Sequence, residues 1–122
     1  MAWRYQISTG KLWHDSEYEG SGYSGRRSGL NNPALTGVEG VGPIPTGNWT
    51  IADPLNPPDH LGPLAMPLEP SDETDTRGRS AFFIHGDNAE LDHSASHGCI
   101  ILGRALRQAI IVSGDRWLEV IN

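Results

Sequence analysis

Three of the five histidines and the single cysteine fall within one stretch, His85 to Cys99, which reads His-Gly-Asp-Asn-Ala-Glu-Leu-Asp-His-Ser-Ala-Ser-His-Gly-Cys. A thiol is a weak nucleophile near neutral pH because its ordinary pKa is about 8.5, and it needs a base or cation beside it. His97 and His85 could supply that base, and Gly98 before the cysteine lets the backbone approach a substrate closely. Two other readings compete. A lone cysteine is commonly a small, inert core residue. Alternatively His85, Asp87, His93, His97 and Cys99 could ligate a metal, but their spacings fit neither H-E-x-x-H nor paired C-x-x-C. Thiol chemistry assisted by histidine is the reading that these spacings leave ahead.

The pair His85-Gly86 and Ser96-His97-Gly98-Cys99 resembles the active-site signature of the L,D-transpeptidase (YkuD-like) cysteine enzymes of bacterial cell walls. Further stretches narrow the resemblance: Gly22-Tyr23-Ser24-Gly25, Asn31-Asn32-Pro33, Gly42-Pro43-Ile44-Pro45 with Gly47, Phe83 to Asn88, and Ala95 to Leu102. Together they are similar to the small Tlde1-type branch, whose members are type VI secretion effectors that attack peptidoglycan. The likeness runs from about Tyr5 to Val120. It implies an L,D-transpeptidase-like β-sandwich formed by a single catalytic domain over residues 1–122, with one short helix after the cysteine.

The resemblance also implies roles. Cys99 would attack the carbonyl at the L-centre of meso-diaminopimelate in a stem tetrapeptide and release D-Ala. His85 would be the general base, oriented by the carbonyl of Gly86, with Ser96 and His97 completing the catalytic group. Backbone N–H groups of Gly98 and Cys99 would form the oxyanion hole. Water would resolve the thioacyl enzyme as an L,D-carboxypeptidase, and a D-amino acid would resolve it as an exchange enzyme. No cofactor or metal is implied. The spacing from His85 to Cys99 is shorter than usual in the wider family, and Ile101 stands where many members carry arginine. Hydrolysis and exchange are therefore expected ahead of cross-linking. A non-catalytic peptidoglycan-binding or phage-type structural module is the alternative that keeps the motif without the chemistry.

Tyr23, Ser24, Asp87 and Asn88 are candidate substrate-binding residues. Each has a plainer role: turn packing for the first two, and Asx-type turns ending a strand for the others. His97 could equally be a structural hydrogen-bonding group, and His93 a solvated loop residue.

The elements that must carry these groups are short. Trp3, Tyr5 and Ile7 alternate with polar residues, and Thr9-Gly10 interrupts before Lys11 to His14, which predicts a β-hairpin. Residues 20–32 are rich in glycine and serine and read as a loop. Trp49 and Ile51 mark a strand over 48–52. Residues 53–79 read as a long proline-rich, acidic loop, broken by a short strand near 64–68. The run 79–85 predicts a strand that delivers His85 at its end, on the face of Ala81 and Phe83. Leu102, Leu106 and Ala109-Ile110 have helical spacing with Arg104, Arg107 and Gln108 polar, and Asp115 to Ile121 predicts a final strand.

The chain of 122 residues has 15 glycines and nine prolines, nearly a fifth of the total, which excludes a helical bundle. One cysteine forbids an internal disulfide. A net charge of −6 disfavours nucleic acid phosphates and anionic lipid as partners, and no apolar run is long enough to insert in a membrane. Without a secretory signal, synthesis in the cytoplasm is expected. A cell-wall substrate then requires delivery: the expected partners are stem peptides, type VI delivery components and a cognate immunity protein, and the expected site of action is the periplasm of a target bacterium.

Overall fold

The computed structural model describes residues 2–122. The apolar alternation at the start of the chain forms β1 (Trp3–Gln6) and β2 (Lys11–His14), paired antiparallel as a hairpin. Then follow β3 (Glu17–Ser21), β4 (Tyr23–Ser24), β5 (Gly47–Ile51), β6 (Met66–Pro70), β7 (Phe83–His85), β8 (Ile100–Ile101), α1 (Arg104–Ser113) and β9 (Trp117–Ile121). The architecture is mainly β, with a single α-helix after the cysteine, as expected.

The strands form one nine-stranded sheet in the order β3-β2-β1-β9-β5-β6-β7-β8-β4. Its two edges, β3 and β4, are consecutive in the chain and separated only by Gly22. The sheet must therefore curl until its edges meet. At this seam the N–H of Gly22 donates to the carbonyl of Gly10 at 2.8 Å. A Cβ on Gly22 would stand 1.8 Å from the carbonyl oxygen of Ile101, so only glycine permits the approach. Inside the curl, Trp3, Tyr5, Ile7, Trp49, Met66, Ile84 and Ile100 are buried, with Ile110 of α1 packed among them. Burial of such side chains contributes roughly 1.5–3 kcal/mol each.

Several boundaries differ from the expected ones, each for a local reason. The run 79–85 is a strand only from Phe83, because Ala81 has φ +63°, in the left-handed region. The strand inside the proline-rich loop lies at Met66–Pro70, two residues later than expected. The expected loop 20–32 contains β4 and the end of β3, which pair with β8 and β2 respectively despite their glycine and serine content. The helix starts at Arg104, after Leu102, and ends at Gly114, whose φ of +69° is the usual left-handed cap. Arg107 was expected on the polar face but is buried, since its guanidinium finds carbonyl partners within the fold. Among the described residues, no helix is long and apolar enough to cross a membrane.

Candidate active site

Strands β7 and β8 run parallel, with Ile84 opposite Ile100 and His85 opposite Ile101. Strand β4 pairs antiparallel with β8, placing Tyr23 opposite Ile101 and Ser24 opposite Ile100. Tyr23, Ile101 and His85 thus lie abreast across three strands, while Ser24, Ile100 and Ile84 form the adjoining row. Cys99 is the last residue of the bend that leads into β8, next in sequence to Ile100. Cys99 thus stands at the entry to β8, and His85 at the end of its parallel neighbour β7.

The imidazole is fixed by its neighbour. His85 is buried, and its Nδ1 lies 2.8 Å from the carbonyl oxygen of Gly86. A carbonyl only accepts, so Nδ1 carries the proton and Nε2 of the neutral ring keeps its lone pair. Burial lowers the pKa of His85 below its ordinary value; the Gly86 carbonyl opposes that shift and the nearby Arg107 guanidinium adds to it. The ring is thereby held in its basic form. For Cys99, which is partly exposed, burial raises the thiol pKa, while the Phe83 backbone and the Arg79 guanidinium pull it down. Neutral thiol and neutral imidazole are the resting pair that these directions favour.

Two buried serines shape the turn before β8. Ser24 Oγ donates to the carbonyl of Gly98 at 3.2 Å and accepts the N–H of Ile44 at 2.9 Å. Ser96 Oγ donates to the carbonyl of Cys99 at 2.6 Å and accepts the N–H groups of Gly25 and Gly98 at 2.9 and 3.1 Å. Two of the expected site residues are thus engaged in structural bonds. Ser96 is fully buried and holds the turn instead of facing a substrate. The Gly98 N–H is spent on Ser96, so of the expected oxyanion pair only the Cys99 amide remains to serve.

The surface around these groups is a chain of cavities. His85, Gly86, Asp87, Asn88, His60 and His97 line one of about 310 Å³. Cys99, Gly98, Arg79, Phe82, Glu39 and again His97 line a second of about 270 Å³. A third, of about 290 Å³, shares Arg79, Ser80, Ala81 and Phe82 with the second and extends along β6. The first two share exposed His97, which lines both the thiol side and the imidazole side.

The family model described as the Tlde1 domain matches residues 19–114, a span from β3 to the end of α1 that includes His85 and Cys99. The chain belongs to the Tlde1 family. Membership supports an effector-type function in type VI secretion. No curated protein matches the chain.

The remaining candidates in this Tlde1 domain divide between packing and surface. Tyr23 Oη donates to Asp87 Oδ1 at 2.7 Å and accepts the Ala95 N–H at 3.1 Å, tying β4 to the 86–98 connection. Asp87 also accepts the N–H of Asn88, and Asn88 bonds Ser94 and the Leu91 amide, so both residues build turns at the rim of the His85 cavity. His93 packs edge-on against Tyr23. The five possible metal ligands do not converge. Among the described residues, the donor atoms that do lie within 4.8 Å of one another belong to His14, Asp15 and Asp115. There, His14 bonds Asp115 at 2.9 Å and stacks on Trp3, a contact that ties β2 to the start of β9.

Two arginines of the Tlde1 domain, both buried, were not among the sequence candidates. Arg107 donates to the carbonyls of Leu102 and Pro63, and its Nη2 lies where a Cβ on Gly86 would be, 2.7 Å away. A side chain at Gly86 would therefore displace this guanidinium beside His85. Arg79 occupies the equivalent place beside Gly98 and Cys99. In sequence, both read as ordinary solvated charges, and nothing in their spacing marks them.

Proposed function

We propose that this protein is a cysteine L,D-carboxypeptidase that also exchanges terminal D-amino acids, acting on peptidoglycan stem tetrapeptides between meso-diaminopimelate and D-Ala. The observation that carries the reading is the bond from His85 Nδ1 to the Gly86 carbonyl, which leaves the Nε2 lone pair to act as a base, with Cys99 at the entry to the adjacent strand β8. His85 would take the thiol proton as the sulfur attacks the carbonyl carbon. The Cys99 amide would stabilise the oxyanion, and the imidazolium would return its proton to the leaving D-Ala nitrogen. Water or a D-amino acid, deprotonated by the same imidazole, would then break the thioester and regenerate the thiol. The cavities on the imidazole side and the thiol side of His97 support a peptide substrate there.

On the same reading the protein acts in the periplasm of a target bacterium, delivered by type VI components and neutralised in its producer by an immunity protein. The test is incubation of the purified protein with tetrapeptide muropeptides, with and without D-Met. Release of D-Ala and formation of D-Met tetrapeptides, both lost in Cys99→Ala, are expected. Unchanged tetrapeptides would overturn the proposal. Activity lost to a chelator but not to a thiol alkylator would favour a metal hydrolase instead.

A further inference from the structure

Arg79 is buried just before β7. Its Nη1 donates to the carbonyls of Thr36 and Pro43 at 2.6 and 2.8 Å, and its Nη2 to those of Gly42 and His97 at 2.9 and 3.1 Å. All four partners are neutral. Among the described residues, Arg79 forms no ion pair, so its charge is solvated by dipoles and cancelled by none. A buried guanidinium in that state is costly unless an anion is brought to it. Carbonyl-only coordination explains how it ties the 36–43 loop to the turn at His97, but not why a permanent cation stands there.

Its position suggests the anion. Arg79 and Cys99 line the same cavity of about 270 Å³. A Cβ on Gly98 would fall 2.3 Å from Arg79 Nη2, so glycine beside the cysteine lets the guanidinium lie against the backbone there. The face of Phe82, 5.1 Å from the guanidinium carbon, holds it from the other side. Glu39 is exposed and lines the same cavity without pairing to Arg79.

We infer that Arg79 is the positioning residue that stabilises the thiolate of Cys99 through its uncancelled charge, and that Glu39 at the cavity rim opposes it. This rests on the reading of Cys99 as the nucleophile. The guanidinium acts through space, because its Nη donors are already taken by carbonyls. The opposing shifts agree: burial raises the thiol pKa, whereas Arg79 lowers it, and Glu39 favours the charged form of Arg79.

The experiment is the pH profile of Cys99 alkylation by iodoacetamide, followed by mass spectrometry on the full chain without substrate. Arg79→Gln is expected to move the midpoint up by about one pH unit, or roughly tenfold in rate on the rising limb. Glu39→Gln is expected to move it down by a few tenths of a unit, and Arg79→Lys to stay nearer wild type than Arg79→Gln. Unmoved midpoints, or an upward shift in Glu39→Gln, overturn the inference. If Arg79→Gln does not fold, the surface variants Glu39→Gln and Glu39→Lys decide alone by a downward shift or none. Because the probe is not peptidoglycan, shifted midpoints with no muropeptide turnover leave the role of Arg79 standing and overturn only the substrate reading. Turnover with unmoved midpoints does the reverse.

Discussion

Ser96 and Cys99 are joined hydroxyl to carbonyl at 2.6 Å, and the same hydroxyl accepts two backbone amides, so one buried oxygen organises the turn that presents the thiol. Removing it leaves the amides of Gly25 and Gly98 without their acceptor in a dry site. Unsatisfied buried donors cost about 1–3 kcal/mol each. Ser96→Ala is therefore expected to lose about 2–5 kcal/mol of stability, measured by urea unfolding, and to lower muropeptide turnover well below wild type at temperatures where it stays folded. Full turnover with intact stability would show that the turn forms without the hydroxyl.

The seam of the curled sheet makes a separate prediction. Gly22 is the only residue between the two edge strands, and a Cβ there would overlap the Ile101 carbonyl, a rigid backbone atom. Gly22→Ala is expected to unfold the protein or to cost more than about 4 kcal/mol, the range in which single substitutions are diagnostic of a broken constraint. Thermal unfolding by circular dichroism reads this directly, and a variant within a few degrees of wild type would contradict the closure.

What could be read from the sequence depended on whether the signal was local. His85, Cys99 and the turn glycines sit in contiguous motifs, and the alternation of Trp3, Tyr5 and Ile7 marks β1 because each second residue enters the core. By contrast, Glu17–Ser21 forms β3 without an apolar face, held at the edge by pairing to β2 and by the seam. Arg79 and Arg107 escaped notice for a related reason. Their partners are carbonyls of Thr36, Gly42, Pro43, His97, Pro63 and Leu102, and a backbone carbonyl leaves no mark in a sequence. Likewise Ser96 carried the motif of a catalytic group, and only the fold showed its hydroxyl turned inward.

Tyr23 links β4 to the connection that carries Asp87 and Ala95. Tyr23→Phe keeps the ring and its contact with His93 but removes both bonds. It is expected to cost about 1–3 kcal/mol and to accelerate amide hydrogen exchange across residues 88–95. Exchange there at the wild-type rate would mean that the Asn88 turns alone hold the segment.

Tyr5 offers the opposite sign. Its ring is fully buried, and among the described residues its hydroxyl has no hydrogen-bond partner. Burial raises its pKa for the same reason, since an apolar surrounding disfavours the phenolate. Tyr5→Phe removes an unpaired polar atom while keeping the packing, and is expected to stabilise the protein by about 1 kcal/mol. A fall in the unfolding midpoint would reveal a partner for the hydroxyl.

The lowered pKa of His85 fixes the sign of two pH dependences. General-base action requires the neutral ring, so the acid limb of kcat/KM for D-Ala release is expected to fall below pH 6.5, the ordinary histidine value. For stability, the unfolded chain binds the proton more readily than the folded one. The contribution of His85 is therefore present above about pH 6.5 and is lost as pH falls through the folded pKa. His85→Gln cannot titrate, so its unfolding midpoint should drop less than that of wild type between pH 7.5 and 5. Equal drops in the two proteins, or an acid limb above pH 6.5, would mean that burial and Arg107 do not outweigh the Gly86 carbonyl.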